Sequence, residues 1–473
     1  MTHDTWSSPL SERYASLEML ELWSQRSRHG MWRRLWLALA EGEKELGVPI
    51  PERAIEQMRN NLDDIDFDAV ARYEERFRHD VMAHVHAFGD AAPAAKPFIH
   101  LGATSAYVTD NADLVLMRRG LEILEERILS ILRTLAEFAR QWKDLPTLGY
   151  THLQPAQLTT VGKRATLWMQ DLVLDLEESR RRRNDLPLRG VKGTTGTQAT
   201  FLELFDGDHE KVLALERAVT QKMGFASALA VTGQTYTRKL DAFVLAVLAG
   251  IAASAAKFSA DVRVLQAFGE IEEPFEAEQI GSSAMAYKRN PMRSERITAL
   301  SRFILTLEAN ANQTHSVQFL ERTLDDSANR RLVIPESFLA TDAVLILMDS
   351  VSRGLRVNTA RISERLTAEL PLIATERIIL SAVKAGIDRQ KAHEVVRRHS
   401  AASGDGTTTS TFLDRLAADP ELGLSRNDVA KALEAREFIG RAPEQVDEFL
   451  MDVVTPLLES QSPPSLSRAE IRV

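Results

Sequence analysis

The chemistry in this sequence gathers in a few short polar stretches, the densest of which reads GSSAMAYKRNP over residues 281–291. It sets two hydroxyls (Ser282 and Ser283), a cation (Lys288) and an amide (Asn290) between a glycine and a proline. None of these has the spacing of a buried helix face. Two readings stand: a solvated basic turn, or a mobile surface loop of the kind that closes over substrates. A second stretch, GYTHLQPAQLTT at 149–160, displays His152 between Thr151 and Gln154 just before a proline, in the lead-in to a long helix. Alone, such a histidine reads as readily as an ordinary surface or satisfied core residue as it does a functional one.

RHDVMAHVH at 78–86 holds three histidines and so invites a metal. However, the steps from 79 to 84 and from 84 to 86 do not place two ligands side by side on a helix, and no carboxylates complete a site. His79 and Asp80 read instead as a polar pair at a ligand, with Arg78 beside them. GATS at 102–105 supplies the hydroxyls of Thr104 and Ser105 with exposed backbone amides. GVKGTTGTQ at 190–198 is glycine-rich but lacks the Lys-Ser/Thr of a phosphate loop, and reads as a turn between helices. ERTLDDSANRR at 321–331 groups Arg322, Arg330 and Arg331 around the hydroxyl of Ser327, as a solvated face or as a cationic pocket.

The elements that must position these groups are helices. Residues 113–142 carry Leu114, Met117, Leu121, Leu124, Ile128, Ile131, Leu135 and Phe138 at steps of three and four. Residues 158–185 repeat the pattern, and 238–268, 292–319 and 335–355 extend it with little strand signal between. An all-α protein follows, with a central bundle of five long helices over 111–356. Shorter helices at 31–46 and 67–88 suggest an N-terminal helical domain over 1–110. Those at 374–385, 388–399 and 443–458 suggest a C-terminal one over 357–473, with a Gly/Ser/Thr-rich connection at 400–410 and a frayed end. Residues 238–268 are apolar almost all round; either other subunits or the helix's own four neighbours would have to cover them.

Composition narrows the function classes. The 473 residues are 44% hydrophobic and 26% charged, as in a folded chain. With 58 Lys and Arg against 67 Asp and Glu, the net charge is -9. That balance offers nothing to nucleic acid or an anionic membrane, so an anionic ligand needs a local cationic pocket. The absence of cysteine excludes disulfides, thiol nucleophiles and Cys-ligated metals. MTHDTWSSPL lacks a signal peptide's basic-then-apolar pattern, and the apolar run at 242–256 is shorter than a membrane span needs. A cytoplasmic location is expected.

The 281–291 stretch resembles the signature Ser-Ser-x-Met-Pro-x-Lys-x-Asn-Pro of the fumarase/aspartase superfamily of lyases. Ser282, Ser283, Met285, Lys288, Asn290 and Pro291 match, and Ala286 stands where the signature has proline. The THLQ segment is similar to the superfamily's Thr-His-x-Gln. Within it the chain resembles most the adenylosuccinate lyase family. That likeness runs through RYAS at 13–16, RHDV at 78–81, GATS, THLQ, TGQTYTRK at 232–239, the loop extended by MRSER at 292–296, and LDDSANRR at 324–331. It covers most of residues 9–338 and is looser beyond.

The resemblance implies a β-elimination that releases fumarate from succinylated purine nucleotides. These are adenylosuccinate, giving AMP, and succinylaminoimidazole carboxamide ribotide (SAICAR), giving AICAR. It implies Ser282 as base and His152 as acid, and no cofactor or metal. Lys288 and Asn290 would hold the succinyl carboxylates, and Arg13, Tyr14, Arg296, Ser327 and Arg331 the phosphate and ribose. Arg78, His79, Asp80, Thr104, Ser105, Thr151, Gln234 and Arg322 would complete the pocket. It further implies a homotetramer with each site built from three subunits. A serine is a poor base unless amides and a nearby cation stabilise its alkoxide, whereas an imidazole, with an ordinary pKa near 6.5, donates readily near neutral pH. Competing readings are a sibling lyase acting on argininosuccinate, aspartate or malate, a structural protein derived from the superfamily, and a helical scaffold or nucleic-acid binder.

Overall fold

The computed structural model describes residues 4–401, 409–431 and 434–459. Most of the connection expected at 400–410, and the chain's last residues, lie outside these. Five long helices dominate: α1 (Ser105–Gln141), α2 (Val161–Asp185), α3 (Lys239–Phe268), α4 (Met292–Ser316) and α5 (Asp325–Gly354). Helix α1 packs on α2 and α5, while α3 lies against α2, α4 and α5. The apolar stripe of α1 faces inward, with Leu114, Met117, Leu121, Leu124, Ile128, Ile131 and Leu135 all at 0% exposure. Burying each such side chain contributes about 1.5–3 kcal/mol.

The helices differ from the sequence expectation mainly at their starts. Helix α1 begins eight residues earlier than expected, and α5 ten; both carry buried polar residues near their starts that interrupt the apolar spacing, in α1 just after the buried Ala106, Tyr107 and Val108. Asp110 and Asn111 in α1, and Asp326 and Arg330 in α5, are all within 8% exposure. Pro335 does not start α5 but sits inside it. The expected helix at 67–88 is two, Phe67–Phe77 and Asp80–Ala91, broken where Arg78 takes φ 53° and His79 caps the second. The C-terminal helices fall at Thr375–Lys384, Arg389–Ala401 and Ala442–Phe449, the last continuing through a π turn (Leu450–Val454) to Glu459.

Two antiparallel pairs interrupt the helical pattern. Strands β1 (Pro146–Thr151) and β2 (Gln154–Thr160) form a hairpin with Thr151 opposite Gln154. The 149–160 stretch does lead into a long helix, but as a hairpin that runs straight into α2, which starts at Val161 and not at 158. At the far end of α3, β3 (Ile271–Glu272) pairs with β4 (Arg356–Val357). Among the described residues, α3 alone is long and apolar enough by composition to cross a membrane. In the fold, its Val244, Leu248, Ile251, Ala255, Phe258 and Val262 are fully buried by the chain's own helices.

Candidate active site

The hairpin presents His152. Its two-residue turn is His152–Leu153, with φ 54° and 57°. Positive φ at both central positions is what a type I′ turn requires, and neither residue is glycine. Thr151, His152 and Gln154 are exposed, and Leu153 is 70% exposed. Below the tip, the Tyr150 hydroxyl donates to Glu270 Oε1 at 3.2 Å and accepts from Arg365 Nη2 at 2.8 Å. Its ring lies 5.2 Å from Phe268. The imidazole is thus raised from a base anchored at the end of α3.

From the same end springs the loop between β3 and α4. In it the Ser282 Oγ accepts from two backbone amides, Ala284 N at 3.3 Å and Met285 N at 3.1 Å. Amides aimed at an oxygen stabilise that oxygen as an anion. Asn290 Nδ2 donates to Gly281 O at 2.8 Å, so the amide's nitrogen closes the loop on itself. A Cβ on Gly281 would collide with the Lys288 carbonyl, which explains the glycine. Lys288 N donates to Met285 O at 3.0 Å across a turn whose second residue is Ala286, a position that suits proline. Lys288 itself is exposed. Nearby, the Arg296 guanidinium lies 5.5 Å over the Tyr14 ring, beside exposed Arg13.

The other candidates collect at the opposite end of α3. Arg331 Nη2 bonds Asp80 Oδ2 at 2.5 Å. Burial alone would raise the Asp80 carboxyl, but Arg331, the Val81 amide and His79 hold it below its ordinary value. His79 Nδ1 accepts from Met82 N, and its Nε2 stands 3.5 Å from Ser105 Oγ, with Thr104 just ahead of the first residue of α1. Exposed Arg78 precedes them. Gln234 Nε2 donates to Thr194 O, and Gln234 N to Glu321 O. Arg322 Nη1 bonds both oxygens of Asp326, and Ser327 opens α5 just beyond.

Beneath these groups lies an ionic framework that sequence reading missed. Arg238, 1% exposed, grips both oxygens of Asp110 at 3.1 Å and Asp326 Oδ2 at 2.7 Å. Arg330 joins Asp241, Asp113 and the Tyr236 hydroxyl. It therefore serves the framework and not an exposed pocket. Arg189 gives its guanidinium to the carbonyls of Gln234, Gly190 and Gly193, so the glycine-rich turn braces the Gln234 loop. The signal was available: charged residues at the inward positions of Asp110 and Arg238 must have partners.

The three histidines of residues 78–86 point to three surroundings. His79 faces Ser105, His86 stacks near Tyr73 and Phe77, and His84 is buried with its ring centroid 3.9 Å from that of His29. Burial, then the neighbouring His84, pushes His29 down to about 3; burial, then Arg33, pushes His84 down to about 4. Both folded values lie below the unfolded value near 6.5, so as pH falls the unfolded chain takes up protons first. Stability present above roughly pH 6.5 is therefore lost progressively toward pH 4, by about 3 kcal/mol for His84 alone. We expect the thermal midpoint to fall over that range, and His84→Leu to flatten the curve. Parallel curves for variant and parent would refute the assignment.

Comparison with known proteins meets this geometry. The family model described as "Lyase" matches residues 15–305, and that described as "Adenylosuccinate lyase C-terminus" matches 371–449. The chain is 49% identical over 465 residues to the adenylosuccinate lyase of Saccharomyces cerevisiae, covering 97% of this chain and 96% of that one. It is 48% identical to that of Schizosaccharomyces pombe, covering 95% and 94%. The crystal structure of a fumarate lyase from Mesorhizobium sp. BNC1 superposes with TM-score 0.81 at 22% identity, over 95% of this chain and 99% of that one, which shows a shared fold. From the full-length identity and the matched models, the chain belongs to the adenylosuccinate lyase family of the fumarase/aspartase superfamily.

Proposed function

We propose that this chain is a carbon–nitrogen lyase that eliminates fumarate from adenylosuccinate, leaving AMP, and from SAICAR, leaving AICAR. The observation that carries the reading is the Ser282 hydroxyl held by two amides of its own loop. In the elimination, the Ser282 oxygen, as alkoxide, takes the proton from the succinyl carbon next to a carboxylate. The electron pair left on that carbon forms the C=C bond of fumarate as the C–N bond breaks. The departing nitrogen takes its proton from His152. Lys288 meets the carboxylate charge that grows at the carbanion, and the arginines at 13, 296 and 331 meet phosphate.

The active species on this reading is a homotetramer whose sites draw on several subunits. Support comes from distance: His152, Ser282, Lys288 and Arg296 sit at one end of α3, while Ser105, Gln234, Arg322 and Arg331 sit at the other. A helix of 30 residues separates them by ~45 Å. Support comes also from an uncovered stripe on α3, where Phe243, Ala246, Gly250, Ala253, Lys257 and Ala260 alternate at three and four residues. Exposed Leu167 and Leu174 on α2 add to the apolar surface that neighbouring subunits would cover.

The test is the ultraviolet change on mixing purified protein with adenylosuccinate and, separately, with SAICAR, alongside sedimentation over a dilution series. Turnover of both, vanishing as the assembly dissociates, is expected. A folded tetramer that turns over neither substrate, or an active monomer, would overturn the corresponding part.

A further inference from the structure

The loop that bears Ser282 is long, and its two stems are tied together near their base. Gln266, in the last turn of α3, does the tying with a single side-chain amide: its Oε1 accepts from Glu273 N at 3.1 Å on the incoming stem. Its Nε2 donates to Arg289 O at 3.0 Å on the outgoing stem. Glu273 supplies the next tie. Only 3% exposed, it accepts at Oε1 from Arg293 N at 3.0 Å, and at Oε2 from Ser294 N at 2.9 Å and Ser294 Oγ at 2.7 Å. A carboxylate there also complements the positive end of α4. Pro274 is pressed on Gly354, where any Cβ would collide with it. Between these ties, residues 275–290 are mostly exposed.

We infer that Gln266 and Glu273 are positioning residues for the elimination, a clamp that fixes both stems of the 274–291 loop and thereby sets where the Ser282 oxygen stands. The inference rests on the reading of Ser282 as base. Neither residue reaches the loop's tip, and the polar atoms of both are bonded within the chain. Their leverage is geometric. A stem that slides by about 1 Å carries the hydroxyl with it, and a misplacement of that size costs on the order of 10²-fold in rate. Polar residues in this pattern are otherwise hard to explain. Half-buried in the last turn of α3, Gln266 uses both atoms of its amide, one on each stem.

The test compares Gln266→Met, which keeps the length and loses both bonds, and Gln266→Glu, which keeps the acceptor for Glu273 N and loses the donor to Arg289 O. Glu273→Gln joins them, replacing one acceptor by a donor that faces the α4 amides. Three quantities are read in the assembled protein: kcat and KM on adenylosuccinate, the rate of tryptic cleavage after Lys288 and Arg289, and the thermal midpoint. Gln266→Met and Glu273→Gln are expected to lose roughly 10–100-fold in kcat with KM within about threefold, and to be cut in the loop about tenfold faster. Gln266→Glu should fall between them and the parent.

Normal kcat in Gln266→Met overturns the inference, whether or not cleavage accelerates. So does a kcat loss without faster cleavage, or a loss seen wholly in KM. Failure of the unaltered protein to turn over substrate would instead remove the functional reading on which the clamp rests. The cleavage rates would still report whether the stems are tied.

Discussion

Replacing Ser282 with alanine is expected to lower kcat by roughly 10²–10⁴-fold, the usual worth of a placed base, while leaving the fold and substrate affinity nearly intact. The separation of these effects follows from where the hydroxyl sits. Among the described residues its hydroxyl is held by the amides of Ala284 and Met285, within an exposed loop, so its removal deprives no buried group of a bond. What is lost is the oxygen on which those amides converge. Ser283, exposed beside it, serves as the internal control: Ser283→Ala should retain far more turnover. The measurement is steady-state fumarate release together with the thermal midpoint, and near-normal turnover in Ser282→Ala would end its assignment as base.

His152→Ala is expected to lose a similar factor, and for a parallel reason. The ring stands at the tip of a hairpin, exposed, and the bonds that hold the hairpin in place belong to Tyr150, Glu270 and Arg365 below it. Loss of the ring therefore leaves the hairpin's anchorage untouched. Pre-steady-state mixing distinguishes an acid from a mere contact. If His152 protonates the departing nitrogen, the variant binds substrate normally and is slow in the first turnover. A first turnover at the parental rate would reassign the residue.

Much of this was legible in the sequence, for identifiable reasons. The five bundle helices declare themselves because their apolar residues recur at three and four, and the Leu114 to Leu135 stripe of α1 is buried as that spacing requires. The polar stretches stand out because groups such as Ser282 and His152 break such patterns. What was not legible were features set by partners distant in the chain. The first turns of α1 and α5 hold Asp110 and Asp326 buried against Arg238, more than 80 residues from either. The hairpin at 146–160 escaped notice because its strands are short and polar, and because its turn has no Asn or Gly to announce it. Arg330 was grouped with Arg322 and Arg331 by proximity in sequence, yet it points inward to Asp241 while Arg331 reaches outward to Asp80. Adjacent positions on a helix face different ways.

That turn has a consequence for how the sequence can drift. Left-handed backbone at His152 and Leu153 is a conformation most side chains resist by about 1–2 kcal/mol each, and the residues that relieve it best are asparagine and glycine. Selection for a sturdier hairpin would thus favour replacing the very imidazole the hairpin displays. The imidazole at the tip is thus displayed at a cost to the hairpin that holds it.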